Sequence, residues 1–417
     1  MSSWLNQAID RAGQMDDWLS PKREASLALL RQQQWPTRKT EAWKYTPLHA
    51  LTDAQFATDK TADNETAVEH IDNLNSIDLL FVNGKLINLP DNLPEGLEII
   101  SLAAADKQGQ ERILESFGTI KPQRHLFGLV NDVLTDNGIL ITTTADTNIE
   151  KPLRIVHRVS DDHEAHTRVM VQLGENSQLT VIEHFTADSG FNTGFAEFDL
   201  AHGASLEHYR FALQGKQNIS IGGCHFRLGE SSELVSTTVG FGSPLTRIDM
   251  DVEHAAPHAN ALINAIYLLN GSELFDLHST IEHAAPHGTT EENVRGIVAG
   301  KSKAVFNGRI HIHRDAQKTL AELNNRNLML SRDAEIDTKP ELEIYADDVR
   351  CAHGATIAEV DKKALYYLQS RGIAERQAKI MLSFGFINEL VEQMPNQALA
   401  NWLRPQLRER FADMNQE

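Results

Sequence analysis

Short turns recur along the middle of this chain at a nearly fixed interval, and few folds accommodate that. The turns are Leu173-Gly-Glu-Asn-Ser-Gln-Leu179, His202-Gly-Ala-Ser-Leu206, Leu228-Gly-Glu-Ser-Ser-Glu-Leu234, Asn270-Gly-Ser-Glu-Leu274 and Ala299-Gly-Lys-Ser302. Their glycines are 29, 26, 42 and 29 residues apart. A second series, Glu183-His184, Glu207-His208, Glu253-His254 and Glu282-His283, follows a similar interval. The last two open near-identical heptapeptides, Glu253-His-Ala-Ala-Pro-His-Ala259 and Glu282-His-Ala-Ala-Pro-His-Gly288, 29 residues apart. Between the turns lie short runs such as Val169–Leu173 and Arg309–His313, apolar or alternating, which read as strands. A repeat this short is too small for a propeller blade, and no helical phase interrupts it. The reading is a β-solenoid, each unit one coil whose strands pair with the coils above and below. Such a stack predicts a core of small and β-branched side chains.

The ends of the chain follow another pattern. All five tryptophans are terminal, at 4, 18, 35, 43 and 402, whereas sixteen of the eighteen histidines fall between His125 and His353. Residues 1–34 have helical spacing, with Ser20 before Pro21 suiting a helix start and a second helix over Pro21–Gln34. The stretch 55–75 is polar and irregular. Residues 79–87 read as strand, Asn83-Gly84 turn, strand, and 103–134 as helical again. After Thr356 the pattern is helical, with Gly372 and Pro395 as stops, and predicts a cap on the solenoid's end. The expected layout is a mostly helical N-terminal domain with a small β-hairpin (1–135), a β-helix core (136–356) and a C-terminal helical domain (357–417).

Composition removes several functions. Lys and Arg number 39 against 58 Asp and Glu, a net charge of −19 that suits neither nucleic acid nor an anionic membrane. No apolar run is long enough to span a bilayer. No secretory leader is visible, so a cytoplasmic protein is expected. The two cysteines, Cys224 and Cys351, are 127 positions apart and form no CxxC, which excludes a self-contained zinc ribbon or ferredoxin site. There is no P-loop, dinucleotide fingerprint, nucleophile elbow or HExxH.

Among residues that could carry chemistry, the paired EHAAPH segments offer imidazole and carboxylate, which suit zinc or iron. Polar groups repeating at a solenoid period more simply support turn backbone. His311 and His313 share a strand face, and Cys224 reads as a buried small hydrophobe. Cys351-Ala352-His353 differs. At positions i and i+2 of a strand, thiol and imidazole project together, and His353 or Arg350 can favour thiolate. Both are ligands for iron and iron–sulfur clusters, but two ligands do not complete a four-ligand site. A partner would have to supply the rest.

The run Asn325–Thr356, ending Asp347-Asp-Val-Arg-Cys-Ala-His-Gly-Ala-Thr356, closely resembles the signature of the SufB/SufD family of iron–sulfur cluster assembly proteins. Tyr367–Ile373 and Ser383–Phe386 are similar to the family's C-terminal helices. Pro36-Thr-Arg-Lys-Thr-Glu-Ala-Trp-Lys-Tyr-Thr46 resembles its N-terminal motif. Gly354 follows the SufD branch, where SufB members carry glutamate; Ala352 and Ala358 replace the usual serine and glycine. The resemblance implies a right-handed parallel β-helix between helical terminal domains. It implies pairing with SufB and binding of the SufC ATPase through the C-terminal helices. It further implies a nascent cluster, or iron, at the SufB interface near Cys351 and His353, fed by persulfide sulfur from SufE-type carriers. On this reading the chain is a non-enzymatic scaffold with no stably bound cofactor of its own. The alternatives are a homodimeric, non-catalytic interaction protein and, from another class, a β-helix carbohydrate-active enzyme, which would need paired carboxylates along a solenoid face.

Overall fold

The computed structural model describes residues 2–59, 68–90, 92–187, 189–213, 215 and 217–414. Part of the polar stretch at 55–75, residues 60–67, lies outside the described residues. The N-terminal helices are α1 (Ser3–Ala12), α2 (Ser20–Leu30) and the single turn α3 (His49–Thr52). Ser2 caps α1 by accepting from the Leu5 amide. Pro21 sits in the first turn of α2 as expected, but Leu19 is the cap residue and the helix ends at Leu30, short of Gln34. The Ser20 hydroxyl instead accepts from the Asp17 amide, closing the preceding turn.

Strands β1 (Ile77–Val82) and β2 (Lys85–Asn88) form the expected hairpin. Its turn residues Asn83 and Gly84 have φ of 48° and 81°, the geometry that makes Asn-Gly the favoured pair. Next come β3 (Leu97–Ser101), α4 (Lys107–Ser116) and α5 (Leu126–Leu134). The region expected as helical holds two helices, separated by a segment with Gly118 at φ 70° and Pro122. The solenoid strands are β4 (Gly138–Thr143), β5 (Leu153–Val159), β6 (Glu164–Leu173), β7 (Gln178–Ala187), β8 (Ser189–Leu200), β9 (Ser205–Ala212), β10 (Gln217–Leu228), β11 (Glu233–Phe241), β12 (Leu245–His254), β13 (Asn260–Leu269), β14 (Leu274–His283), β15 (Thr289–Val298), β16 (Lys303–Ile312), β17 (Leu320–Met329), β18 (Glu335–Ile344) and β19 (Arg350–Ala358). Helices α6 (Lys362–Ser370), α7 (Glu375–Glu392) and α8 (Gln397–Met414) end the described chain.

From β4 onward the even-numbered strands stack in one sheet and the odd-numbered strands in another, all parallel within each stack, giving about eight coils. Thr246 pairs with Phe275 and Ala261 with Thr290, each 29 residues on, so the sequence period is one coil. The glycine series mixes two edges. Gly174, Gly203 and Gly229 lie in even-to-odd turns, whereas Gly271 and Gly300 lie in odd-to-even turns, which is why one step was 42. The Glu-His series is likewise not one column. Glu253 and His254 do stack on Glu282 and His283, but Glu183 pairs with Arg210 and His184 with Phe211.

The interior is less uniform than small and β-branched. Phe81, Phe198, Phe226, Phe275, Phe306 and Tyr267 join Leu, Ile, Val and Ala there, with Phe198 and Phe226 stacked at 4.7 Å. Glu183, His208 and Arg210 are also inside, with the Glu183 carboxylate bonded to both of the others. The outer faces are covered by helices. Phe191, Phe195, Ile219 and Ile221 of the even sheet pack against α1, α2 and α5, the last buried along its whole length. Ile266, Leu268 and Ile297 of the odd sheet pack against Ile387, Leu390, Leu403 and Leu407 of α7 and α8. The C-terminal helices thus lie along the solenoid's flank and do not cap its end. The first coil is closed by antiparallel strands, β2 on β1 and β3 on β4. Among the described residues the last has no such closure, since β18 and β19 end their sheets.

Candidate functional site

Cys351 and His353 lie on β19, which among the described residues pairs only with β17. The register sets Cys351 beside Ala321 and His353 beside Leu323, both fully buried core residues. The two side chains therefore continue interior columns into a coil with nothing stacked on it. Cys351 is partly buried against the core, and His353 is exposed. Burial pushes the Cys351 thiol above its ordinary value, and the backbone hydrogen bond at Ala321 only partly opposes this. In the folded chain burial outweighs any help to the thiolate from His353 or Arg350. A Cβ on Gly354 would meet nothing nearer than Asn324 Oδ1 at 3.7 Å, so no steric demand requires glycine there. On the last two coils Leu320, Ile344, Tyr345 and Ile357 are all exposed. Thiol, imidazole and unpaired strand edge together form a surface suited to a second protein.

The other sequence candidates have structural duties. His254 and His283 stack at 4.0 Å, each within hydrogen-bond reach of Thr290 Oγ1, and His254 Nδ1 lies 3.2 Å from the Ala259 carbonyl. Burial lowers them to about 4 and about 2, which keeps them neutral. His258 and His287 occupy the left-handed corner of each turn, at φ 63° and 62°. His311 and His313 share a face and stack at 4.4 Å, held by Arg309 and Glu282. Cys224 is fully buried and its thiol is raised by desolvation. The acids along the outer column are occupied as well, Glu253 by Arg227 and Glu343 by Arg309.

One cluster was missed. His125, His225 and Asp251 bring their ligand atoms within 4.8 Å of one another on the outer face of the even sheet. His225 and Asp251 are register partners on β10 and β12, and His125 precedes α5. The available signal was Asp249-x-Asp251, two acids on one strand face that also carries Arg247 and Glu253. Only the fold brings the histidines to it.

Fold and site define the class: a two-sheet parallel β-solenoid with helical flanks and a thiol–imidazole pair at its open end. Residues 156–386 match the SufBD core domain of the SUF system for iron–sulfur cluster assembly, and residues 7–155 match the SufBD N-terminal region. The chain belongs to the SufBD family of iron–sulfur cluster assembly proteins. It is 30% identical to the iron–sulfur cluster assembly protein SufD of Escherichia coli (strain K12), over 91% of this chain and 90% of that protein. It is 28% identical to a SufBD-family iron–sulfur cluster assembly protein of Synechocystis, over 94% of this chain and 91% of the relative. The chloroplastic protein ABCI7 of Arabidopsis thaliana is 27% identical over 92% and 84%. No helix among the described residues is long and apolar enough to cross a membrane.

Proposed function

We propose that this chain is a non-enzymatic scaffold subunit that pairs through its open solenoid end with a SufB-type subunit and helps a nascent iron–sulfur cluster form between them. Iron and the cluster are cargo here. Cys351 and His353 are the groups this chain contributes, and its partner completes the ligand set. The observation that carries the reading is the pair's position on the last strand, facing out of an interior column with no further coil on top. Two donors are too few to hold iron or a cluster alone. A raised thiol also needs a cation nearby before it becomes a good ligand, and iron at a shared interface supplies one. Helix α6, with no buried residue and with Tyr366 and Tyr367 exposed, is the docking surface for a SufC-type ATPase.

The test is reconstitution with a SufB-type subunit, SufC, a cysteine desulfurase and iron. His353→Ala is expected to lower cluster absorbance while the subunits still copurify. Unchanged yield removes His353 from the site. A homodimer is the second reading, because the same apolar edge accepts another copy. The mass of the purified chain with and without the SufB-type subunit separates the two.

A further inference from the structure

A second metal-ligating constellation lies far from Cys351 and His353, in the opposite sheet and three to four coils earlier. Its floor is the outer face of β10 and β12. His225 Nδ1 lies 2.8 Å from Asp251 Oδ2, and the His225 ring is parallel to Phe195. The roof is the segment leading into α5, which brings His125 Nε2 to 2.7 Å from the same Oδ2. Glu197 fixes that segment by accepting from the amides of Gly118, Ile120 and Lys121 at 2.8–2.9 Å. Two imidazole nitrogens thus converge on one carboxylate oxygen.

The surroundings are those of a ligand set. On its far side His125 Nδ1 approaches Asp249 Oδ2 at 3.4 Å, and Asp249 is held by Arg247. A metal-bound histidine commonly gives its second nitrogen to such a carboxylate, which fixes its tautomer and orientation. Arg124 holds the other oxygen of Asp251. Room for the His225 ring depends on Gly223, where a Cβ would lie 2.8 Å from His225 Nε2 and 2.5 Å from the Asp249 carbonyl. His225 is fully buried, while the His125 and Asp251 side chains keep 11% and 13% exposure, so the cluster touches solvent on that side. The three ligand atoms lie within 4.8 Å of one another, and zinc takes such ligands at about 2.0–2.2 Å. Two nitrogens and one carboxylate oxygen with an open position suit zinc or iron(II).

We propose that His125, His225 and Asp251 form a divalent transition-metal site for zinc or iron(II), with Asp249 positioning His125. The site is independent of the open end and of the scaffold reading.

Cobalt(II) and zinc are the probes, on the chelator-treated full chain. Cobalt is expected to bind one per chain with visible d–d bands, and zinc to displace it and raise the melting temperature. His125→Ala, on the surface segment, should abolish the bands with the fold intact by circular dichroism. His225→Asn should do the same where it folds. Asp249→Asn should weaken affinity about tenfold, and Cys351→Ser with His353→Ala should leave it unchanged. The proposal is overturned if no cobalt binds, which would mark a hydrogen-bonded network only. It is equally overturned if binding survives His125→Ala or vanishes in the Cys351 and His353 double variant.

Discussion

Two glutamates inside the solenoid show how much the nearest cation decides. Glu183 faces Arg210 Nη1 at 2.9 Å and His208 Nε2 at 3.1 Å. Despite complete burial its carboxyl is held down to about 2, because the guanidinium and imidazole favour the charged form. Glu292 lies in the column between Ile263 and Leu323, only 1% exposed. Among the described residues no donor completes a hydrogen bond to either of its oxygens, and desolvation raises it to about 7 against an opposing pull from the nearby Ser279 hydroxyl. In the unfolded chain it returns to about 4.5. Between these values the native state holds a proton that the unfolded state has released, so stability falls as pH rises. The loss is complete above about pH 7 and is on the order of 3 kcal/mol. Glu292→Gln stays neutral throughout. Its urea midpoint should exceed that of the parent at pH 8, with the gap closing toward pH 4. Parallel pH profiles for the two chains would show that Glu292 is not titrating in the interior.

At the scale of elements, the readable parts were those set by local chemistry. The coil interval, the Asn83-Gly84 hairpin and the shared face of Cys351 and His353 all follow from strand alternation or turn geometry within a few residues. What was not readable depended on register. Helical spacing shows that α7 and α8 have apolar faces, but not that those faces cover Ile266, Leu268 and Ile297 on the solenoid's flank. Nor could glycine spacing distinguish the two edges of a coil. The His125 cluster joins residues 126 positions apart, and its one local trace was the Asp249-x-Asp251 spacing. The flank packing also changes how the ATPase-docking proposal should be tested. Removing everything after Lys362 would strip Leu390, Leu403 and Leu407 from the sheet and expose its apolar face. Helix α6 is the safer target. Asp361 caps it through the Lys363 and Ala364 amides, none of its residues is buried, and Tyr366 is 73% exposed. Replacing both Tyr366 and Tyr367 by Glu should weaken capture of a SufC-type ATPase about tenfold or more, the loss expected when interface aromatics are removed. The melting temperature should not move. Full retention of binding would place the docking surface elsewhere.

The whole molecule is polar from end to end. Its first coil is closed by antiparallel strands, while its last presents two open strand edges with Ile344 and Ile357 exposed at 42% and 48%. Soluble proteins usually blunt such edges with charge, proline or a covering element. Here β18 is blunted in that way, by Glu335, Asp337, Lys339, Pro340, Glu341 and Glu343, whereas β19 has only Arg350, Cys351 and His353 as ionisable groups and leaves Ile357 exposed. Solenoid coils stack on their neighbours, so an open coil is half of an interface already shaped for strand pairing. Pairing there would bury the apolar residues and bring a partner's side chains over Cys351 and His353. A lysine at the centre of such a contact must be desolvated on association, whereas in the free chain it stays in water. Ile344→Lys combined with Ile357→Lys should therefore weaken association with a SufB-type subunit about a hundredfold, and self-association likewise. The melting temperature of the free chain should change little, since both positions are already exposed. Sedimentation velocity across a concentration series reads the first effect and calorimetry the second. Undiminished association would move the interface to another face and leave the open end unexplained.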